Sequence, residues 1–305
     1  MSKKKIQFAV LVFLFLGVVL VFKAVFAFNH SSLIEVNFFD VGEGDSIMIK
    51  LPGNIQVLID GGPSGSVVEQ IAKEMPFFDR EIELIILTHP DNDHIAGLFE
   101  VFKSFKVDKV LMSDTGDKIK EKDLYLSFQE IVQEEGSEVI FAQQGKKISF
   151  LPVAGSSAKE VITPQIFILW PLQDLKTEEI NDFSVVAKLN FGEMDFLFTG
   201  DISNKIEYQL LANNLTLGQI GDVNLQSEVI KIAHHGSKYS SNEYFLRAVS
   251  PEVAVISVGE NHYGHPAPEV LDNLKKYGII IYRTDESGNI KIISNGKNYQ
   301  ILTNQ

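Results

Sequence analysis

Cysteine is absent from all 305 residues. That absence excludes disulfides, thiolate zinc sites and cysteine nucleophiles, whatever the redox state of the compartment. Any metal must therefore be held by nitrogen and oxygen. No Gly-x-Ser-x-Gly elbow marks a serine nucleophile either. Bases are in the minority, with 27 Lys and Arg against 40 Asp and Glu for a net charge of -13. Such a surface repels polyanions as a whole, and contact with nucleic acid would need a local basic groove or a bound cation. Solenoid repeats and low-complexity linkers are also missing. What remains is 45% hydrophobic, ample for a large core.

The chain opens on Lys3, Lys4 and Lys5, followed by an unbroken apolar run from Phe8 to Phe22, then Lys23 and further apolar residues to Phe28. This is a targeting segment, assigned to residues 1–30. Two fates are open. Val25-Phe26-Ala27 has suitable spacing for signal-peptidase cleavage, whereas a run to Phe28 with Lys23 snorkelling is long enough to span a bilayer. In both cases the three lysines stay inside, so the protein is expected to be membrane-anchored facing outward, or secreted.

Residues 31–305 read as one domain. "LIEVNFF", "SIMIK", "QVLID" and "IELIILT" are strand-like and separated by "VGEGD", "LPGN" and "DGGPSG". "SVVEQIAKEM", "AGLFEVFKSF" and "LYLSFQEIVQEEG" carry apolar residues at helical spacing. From Val139 the pattern repeats: "VIFA", "KISFLP", "QIFILW", "SVVAKLNF", "MDFLFTG", "EVIKIA", "VAVISV", "IIIYRT" and "NIKIIS" read as strands. Helices are expected in "KIEYQLLANN", from Asn242, and in "PEVLDNLKKYG". Strands with interspersed helices, twice over, predict an α/β protein whose sheets are covered by helices.

Three apolar strands end in residues able to bind metal. "IELIILT" runs into His89, Asp91, Asp93 and His94, "MDFLFTG" into Asp201, and "EVIKIA" into His234 and His235. Only seven histidines are present. Acids and imidazoles packed this densely repel one another unless cations sit between them, and two metal ions are a natural occupant. A solvated acidic turn is the plainer alternative for the first cluster, and an ordinary turn residue for Asp201. Asp45 and Asp60 lie in glycine-rich turns, where they can orient a ligating histidine or cap their own backbone. His265 is a candidate proton donor or phosphate contact, His262 is expected at the surface, and Ser237 is expected to cap a helix.

Together these motifs resemble the metallo-β-lactamase superfamily, with its HxHxDH signature, later bridging Asp and final His. "FFDVGEGDS", "LIDGGP", "LTHPDNDHIAGL", "NDFSVV", "FLFTGDIS", "KIAHHGSKYSS" and "VGENHYGHPAPEVL" are similar, in order and spacing, to the extracytoplasmic hydrolase domain of ComEC-type competence proteins. The resemblance implies a four-layer αββα sandwich with a dinuclear centre at one sheet edge. It places His89 and Asp91 at a first metal, Asp93 and His94 at a second, Asp201 between them, and His235 as the final His. His234 either completes the first site or stands beside it touching substrate. Asn181 and Ser184 are expected to hydrogen-bond near the site. Two departures stand out: Asp91 replaces the second His of the signature, and no histidine occurs between His94 and His234. The donor set is harder than a His-rich one, which shifts preference toward manganese while keeping zinc as the leading expectation.

Two cations so held would lower the pKa of a bridging water and polarise a phosphoryl or carbonyl oxygen. Asp93, His234 and His265 are the expected proton-handling residues. The expected function is an exported phosphodiesterase acting on DNA or a cell-envelope phosphodiester, with the membrane as a second partner through the N-terminal segment and no obligate protein partner evident. The alternatives are a carboxyl-ester, lactone or β-lactam hydrolase on the same centre, and a non-catalytic metal-binding surface module.

Overall fold

A computed structural model describes residues 3–29, 32–115, 123–155, 161–173, 175, 177, 179–216 and 224–304. Helix α1 (Lys3–Asn29) is followed by strands β1 (Ile34–Phe38), β2 (Ile47–Leu51) and β3 (Ile55–Ile59) and helix α2 (Ser66–Glu74). Next come β4 (Glu81–Ile82), β5 (Leu84–Leu87), α3 (Asn92–Ile95), α4 (Leu98–Ser104), β6 (Lys106–Val107), β7 (Lys109–Ser113), α5 (Asp123–Glu135) and β8 (Glu138–Ala142). The second half contains β9 (Lys147–Ser149), β10 (Val153–Ala154), β11 (Val161–Ile162), β12 (Gln165–Trp170), β13 (Val186–Phe191), β14 (Met194–Phe198), α6 (Asn204–Thr216) and β15 (Val229–Lys231). It ends with α7 (Glu243–Val249), β16 (Val253–Ile256), α8 (Pro268–Lys276), β17 (Ile280–Arg283), α9 (Thr284–Ser287), β18 (Ile290–Ser294) and β19 (Tyr299–Thr303).

One sheet has the order β19-β18-β1-β2-β3-β5-β7-β8, and the other β17-β16-β15-β14-β13-β12-β9. The period of two along each strand decides which layer each side chain enters. In β5, Leu84 and Ile86 face the other sheet while Ile85 and Leu87 face helices, which explains the unbroken apolar run. In β14, Phe196 and Phe198 meet the first sheet and Leu197 points outward. Helices α2, α4 and α5 cover the first sheet through Val67, Ile71, Leu98, Val101, Phe128 and Val132. Helices α6, α7 and α8 cover the second through Ile206, Leu210, Phe245, Val249, Val270 and Leu274. The result is helix, sheet, sheet, helix.

Within the two large sheets, two strands were not anticipated. β7, written "KVLMS", has charged neighbours that disguise it in the sequence, yet Val110 and Leu111 are fully buried between β5 and β8. β19 is a half-exposed edge strand with a weak pattern. Ser237 does not cap α7; the Asn242 side chain does, accepting the Tyr244 and Phe245 amides, while the Ser237 hydroxyl accepts the Tyr239 N–H within a local turn. His262 is exposed as expected.

Helix α1 is continuous over 27 residues. Counted on the described residues alone, no helix is long and apolar enough to cross a membrane. The membrane reading therefore rests on the sequence and returns below as a proposal.

Candidate metal centre

β3 and β5 are parallel, as are β14, β15 and β16, so their carboxyl ends meet at one edge of the sandwich. Active sites of α/β sheets gather at such edges. β3 delivers Asp60, β5 delivers Thr88 to Asp91, β14 delivers Asp201, and β15 delivers His234 and His235. Asp91 precedes α3 in extended conformation, and the single turn of α3 carries Asp93 and His94 inward. The two sheets are tied here by the Val185 amide, which donates to the Thr88 carbonyl at 2.9 Å.

Two backbone features bring the ligating side chains close. Gly200 has φ +52° and an added Cβ would lie 2.8 Å from the Cβ of Ser184, so only glycine lets β14 turn into Asp201. Gly44 has φ +145°, and a Cβ there would lie 2.4 Å from the Asp93 carbonyl oxygen, which accepts the Asp45 amide. His234 and His235 both have left-handed backbone, φ 52° and 51°. This conformation is costly for non-glycine residues and lets neighbouring imidazoles reach one side.

Asp93, His94, Asp201 and His235 each offer one ligand atom, all within 4.8 Å of one another. His94 Nε2 and His235 Nε2 each lie 3.4 Å from Asp201 Oδ2, and His235 Nε2 is 3.2 Å from Asp93 Oδ2. His89 Nε2 is 3.7 Å from Asp91 Oδ2, and its ring centroid is 4.1 Å from that of His94. His234 sits nearer the mouth, Nε2 4.0 Å from Asp201 Oδ2 and Nδ1 3.4 Å from the Asn181 carboxamide. Ser184 accepts the Asp201 amide at 3.0 Å. The structure brings Asp93, His94, Asp201 and His235 together, with His89 beside them and Asp91 and His234 at the margin.

Each inner imidazole is turned the same way. His94 Nδ1 donates to Asp60 at 2.7 Å, and His235 Nδ1 donates to the Ser257 carbonyl at 2.8 Å. His89 Nδ1 lies 3.0 Å from the Thr88 hydroxyl, which itself donates to Asp60 at 2.6 Å. Nε2 is thereby left as the nitrogen facing inward, the one a metal ion would take in place of a proton. His89 Nε2 and His94 Nε2 are buried without a hydrogen-bond partner. Buried polar atoms are nearly always satisfied. Two orphaned imidazole nitrogens beside three carboxylates fit divalent cations and explain the arrangement.

Charges follow. Burial, with the neighbouring His94 ring, pushes His89 down to about 3, so it is a neutral imidazole. Burial opposes protonation of His235, but Asp201 and Asp93 outweigh it and hold the ring up to about 10. Burial would raise the Asp201 carboxyl, yet His235, His94 and Lys231 hold it well below the carboxylate range. Desolvation lowers His234.

Lys231, missed in the sequence, is fully buried and forms an ion pair with Asp45; its Nζ lies 3.4 Å from Asp201 Oδ1 and 3.1 Å from the Gly200 carbonyl. Asp45 was expected to orient a histidine; its nearest His nitrogens are 3.7 and 3.9 Å away, and Lys231 is its principal partner. The signal was visible: a lone Lys inside the apolar strand "VIKIA" needs a buried acid. Glu43 was also missed. One of its oxygens accepts the Gly259 amide at 2.9 Å, and the other lies 3.2 Å from His265 Nδ1. The His265 ring is 5.5 Å from that of His234.

Comparison with known proteins agrees with this geometry. Residues 39–260 match the metallo-β-lactamase superfamily. The chain belongs to that superfamily. Among curated relatives of this superfamily member, ComE operon protein 3 of Bacillus subtilis is 29% identical over 84% of this chain and 32% of its own length. Competence protein ComA of Neisseria gonorrhoeae is 30% identical over 83% of this chain and 31% of its own. Recombination protein 2 of Haemophilus influenzae is 28% identical over 85% and 28%. The chain spans about a third of the length of these relatives. Among solved structures, the diiron β-hydroxylase CmlA of Streptomyces venezuelae shares the fold, with a TM-score of 0.52 at 15% identity over 88% of this chain and 54% of that one. The superfamily's metal-dependent hydrolases typically bind two divalent ions, and candidate ligand groups for them are present here.

Proposed function

We propose that this superfamily member is a metal-dependent phosphodiesterase working outside the membrane, held there by α1 or released after its cleavage. The observation that carries it is the edge cluster of Asp93, His94, Asp201 and His235, with the orphaned Nε2 of His94 inside it and that of His89 beside it. Asp93, His94, Asp201 and His235 would hold one ion; His89, Asp91 and Asp201 would hold the other. When bound, the ions supply Lewis acidity and activate water at neutral pH. A carboxylate at Asp91 in place of imidazole gives a harder donor set, suited to zinc or manganese and to anionic phosphoryl oxygens.

The remaining work falls to this chain's own groups. The Asp93 side chain, like that of Asp91, is about a third exposed while His94, Asp201 and His235 are buried, so these two carboxylates face the substrate side of the centre. His265 donates Nδ1–H to Glu43, which orients the ring; when it also carries a proton on Nε2, that proton is the one passed to a departing oxygen, and His234 shares that mouth. Asp60 and Thr88 keep His94 and His89 from rotating. DNA is the substrate suggested by the competence-related relatives, and a cell-envelope phosphodiester suits an acidic exported protein equally well.

The test is elemental analysis joined to a phosphodiesterase panel, with wild type and His89→Ala, zinc or manganese, single-stranded DNA and bis-p-nitrophenyl phosphate. Loss of bound metal and of turnover together in His89→Ala is expected. Undiminished turnover sinks the scheme, and cleavage of the small ester alone removes DNA as substrate.

A further inference from the structure

Phe77 is the most exposed large apolar side chain among the described residues, at 87%, and Phe78 beside it is 66% exposed. Their rings meet edge to face, centroids 5.4 Å apart. The loop presenting them is fixed rather than loose: Asp79 accepts from Asn54 and, at 3.2 Å, from Gln56, and the Arg80 carbonyl accepts the Lys106 amide at 2.8 Å. Burying two such rings elsewhere in the domain would have been favourable. An outward, rigid aromatic pair marks a contact surface.

Topology says which edge this is. β1 starts beside the end of β2 (Glu35 opposite Lys50), and β2 ends beside the start of β3 (Leu51 opposite Ile55). β5 runs parallel to β3 and begins at Leu84. The loop bearing Phe77 and Phe78 precedes β4 and β5 and is bonded to the β2–β3 turn, so it lies at the edge opposite the metal centre. That is also the edge at which the chain enters the domain. Three residues before Phe77, Glu74 accepts Lys291 at 2.5 Å, and Lys291 lies 3.7 Å from Glu35, the second residue of β1.

Helix α1 ends at Asn29 and β1 starts at Ile34. Five residue steps span at most about 18 Å. If α1 is seated in a bilayer, the entry edge is therefore tethered against it. We propose that Phe77 and Phe78 insert into the lipid interface beside the anchor, holding the domain upright with its metal centre facing away from the membrane. This rests on the anchored reading given above. The same edge carries Glu193, Glu228 and Glu252 ahead of β14, β15 and β16, and its Lys106 and Lys109 are paired with Glu81, Asp108 and Glu138, so the occupant is a neutral lipid surface entered by apolar contact, not an anionic one attracted by charge. Aromatic side chains favour that interface.

The test uses the full chain reconstituted in phosphatidylcholine vesicles with brominated acyl chains, a short-range quencher of tryptophan. The protein's single tryptophan, Trp170, is buried and gives a constant background. Phe77→Trp replaces one exposed aromatic by another. The added emission is expected to fall by about half or more in brominated vesicles relative to plain ones, while Tyr263→Trp at the opposite edge changes by less than about a tenth. A chain that floats with the vesicles while both variants are quenched equally overturns the proposal and leaves the anchor standing. A chain that does not float overturns both. Dimers in detergent that Phe77→Ser dissociates would assign the pair to a second copy instead and overturn it.

Discussion

At the scale of the residue, the centre depends on what stands behind each ligand. Asp60 takes a hydrogen bond from His94 and two from Thr88, so it orients two imidazoles at once. Asp60→Asn should weaken metal binding about 10–100-fold with the fold retained, measured by competition with a chromogenic chelator. Lys231 is different, because it touches no imidazole: it neutralises Asp45 and Asp201 and donates to the Gly200 carbonyl. Lys231→Met leaves two acids facing each other in a dry pocket, and should cost about 3–5 kcal/mol in the metal-stripped protein, less after loading. Urea denaturation with and without metal reads the difference. His265→Ala should slow hydrolysis of dinucleotides about 100-fold, the usual scale of proton donation. It should slow bis-p-nitrophenyl phosphate far less, since nitrophenolate departs without a proton; equal losses would remove His265 as the acid.

At the scale of the element, the strand-to-loop junctions carry the design. Gly200→Ala places a methyl against Ser184 at a left-handed position, so Asp201 must shift; about 1–3 kcal/mol of stability and most metal affinity should go with it, seen by thermal melts and titration. These junctions were the most legible part of the sequence. "IELIILT", "MDFLFTG" and "EVIKIA" declare buried strands by continuous apolar runs, and each ends in metal-capable residues. What could not be read was pairing. β7 hid because a central strand with charged neighbours has no long apolar signature, and β19 because an edge strand buries only one face. Lys231 shows in the sequence only as a lone Lys in an apolar strand, and Glu43 not at all, because their partners Asp45 and His265 are 186 and 222 positions away. No local pattern encodes such contacts.

At the scale of the whole molecule, charge at the centre couples metal to protons. His235 is held up to about 10, above its unfolded value near 6.5. In the metal-stripped protein its protonation therefore stabilises the fold fully below about 6.5, and that contribution is lost as pH rises toward 10. Melts in chelator should fall between pH 7 and 10. Metal affinity should rise over the same window, with protons released on binding, detected by calorimetry in buffers of different ionisation enthalpy.

The first sheet has a further consequence. β1, at the start of the domain, lies between β2 and β18, and its partner β18 begins only at Ile290. A chain threaded across a membrane from its N-terminus would present β1 with one ladder unfilled until nearly its whole length had passed. Pairing over such sequence distance is slow. If the domain is exported as proposed, its first sheet can be completed only after every residue of the metal centre has reached the outer side.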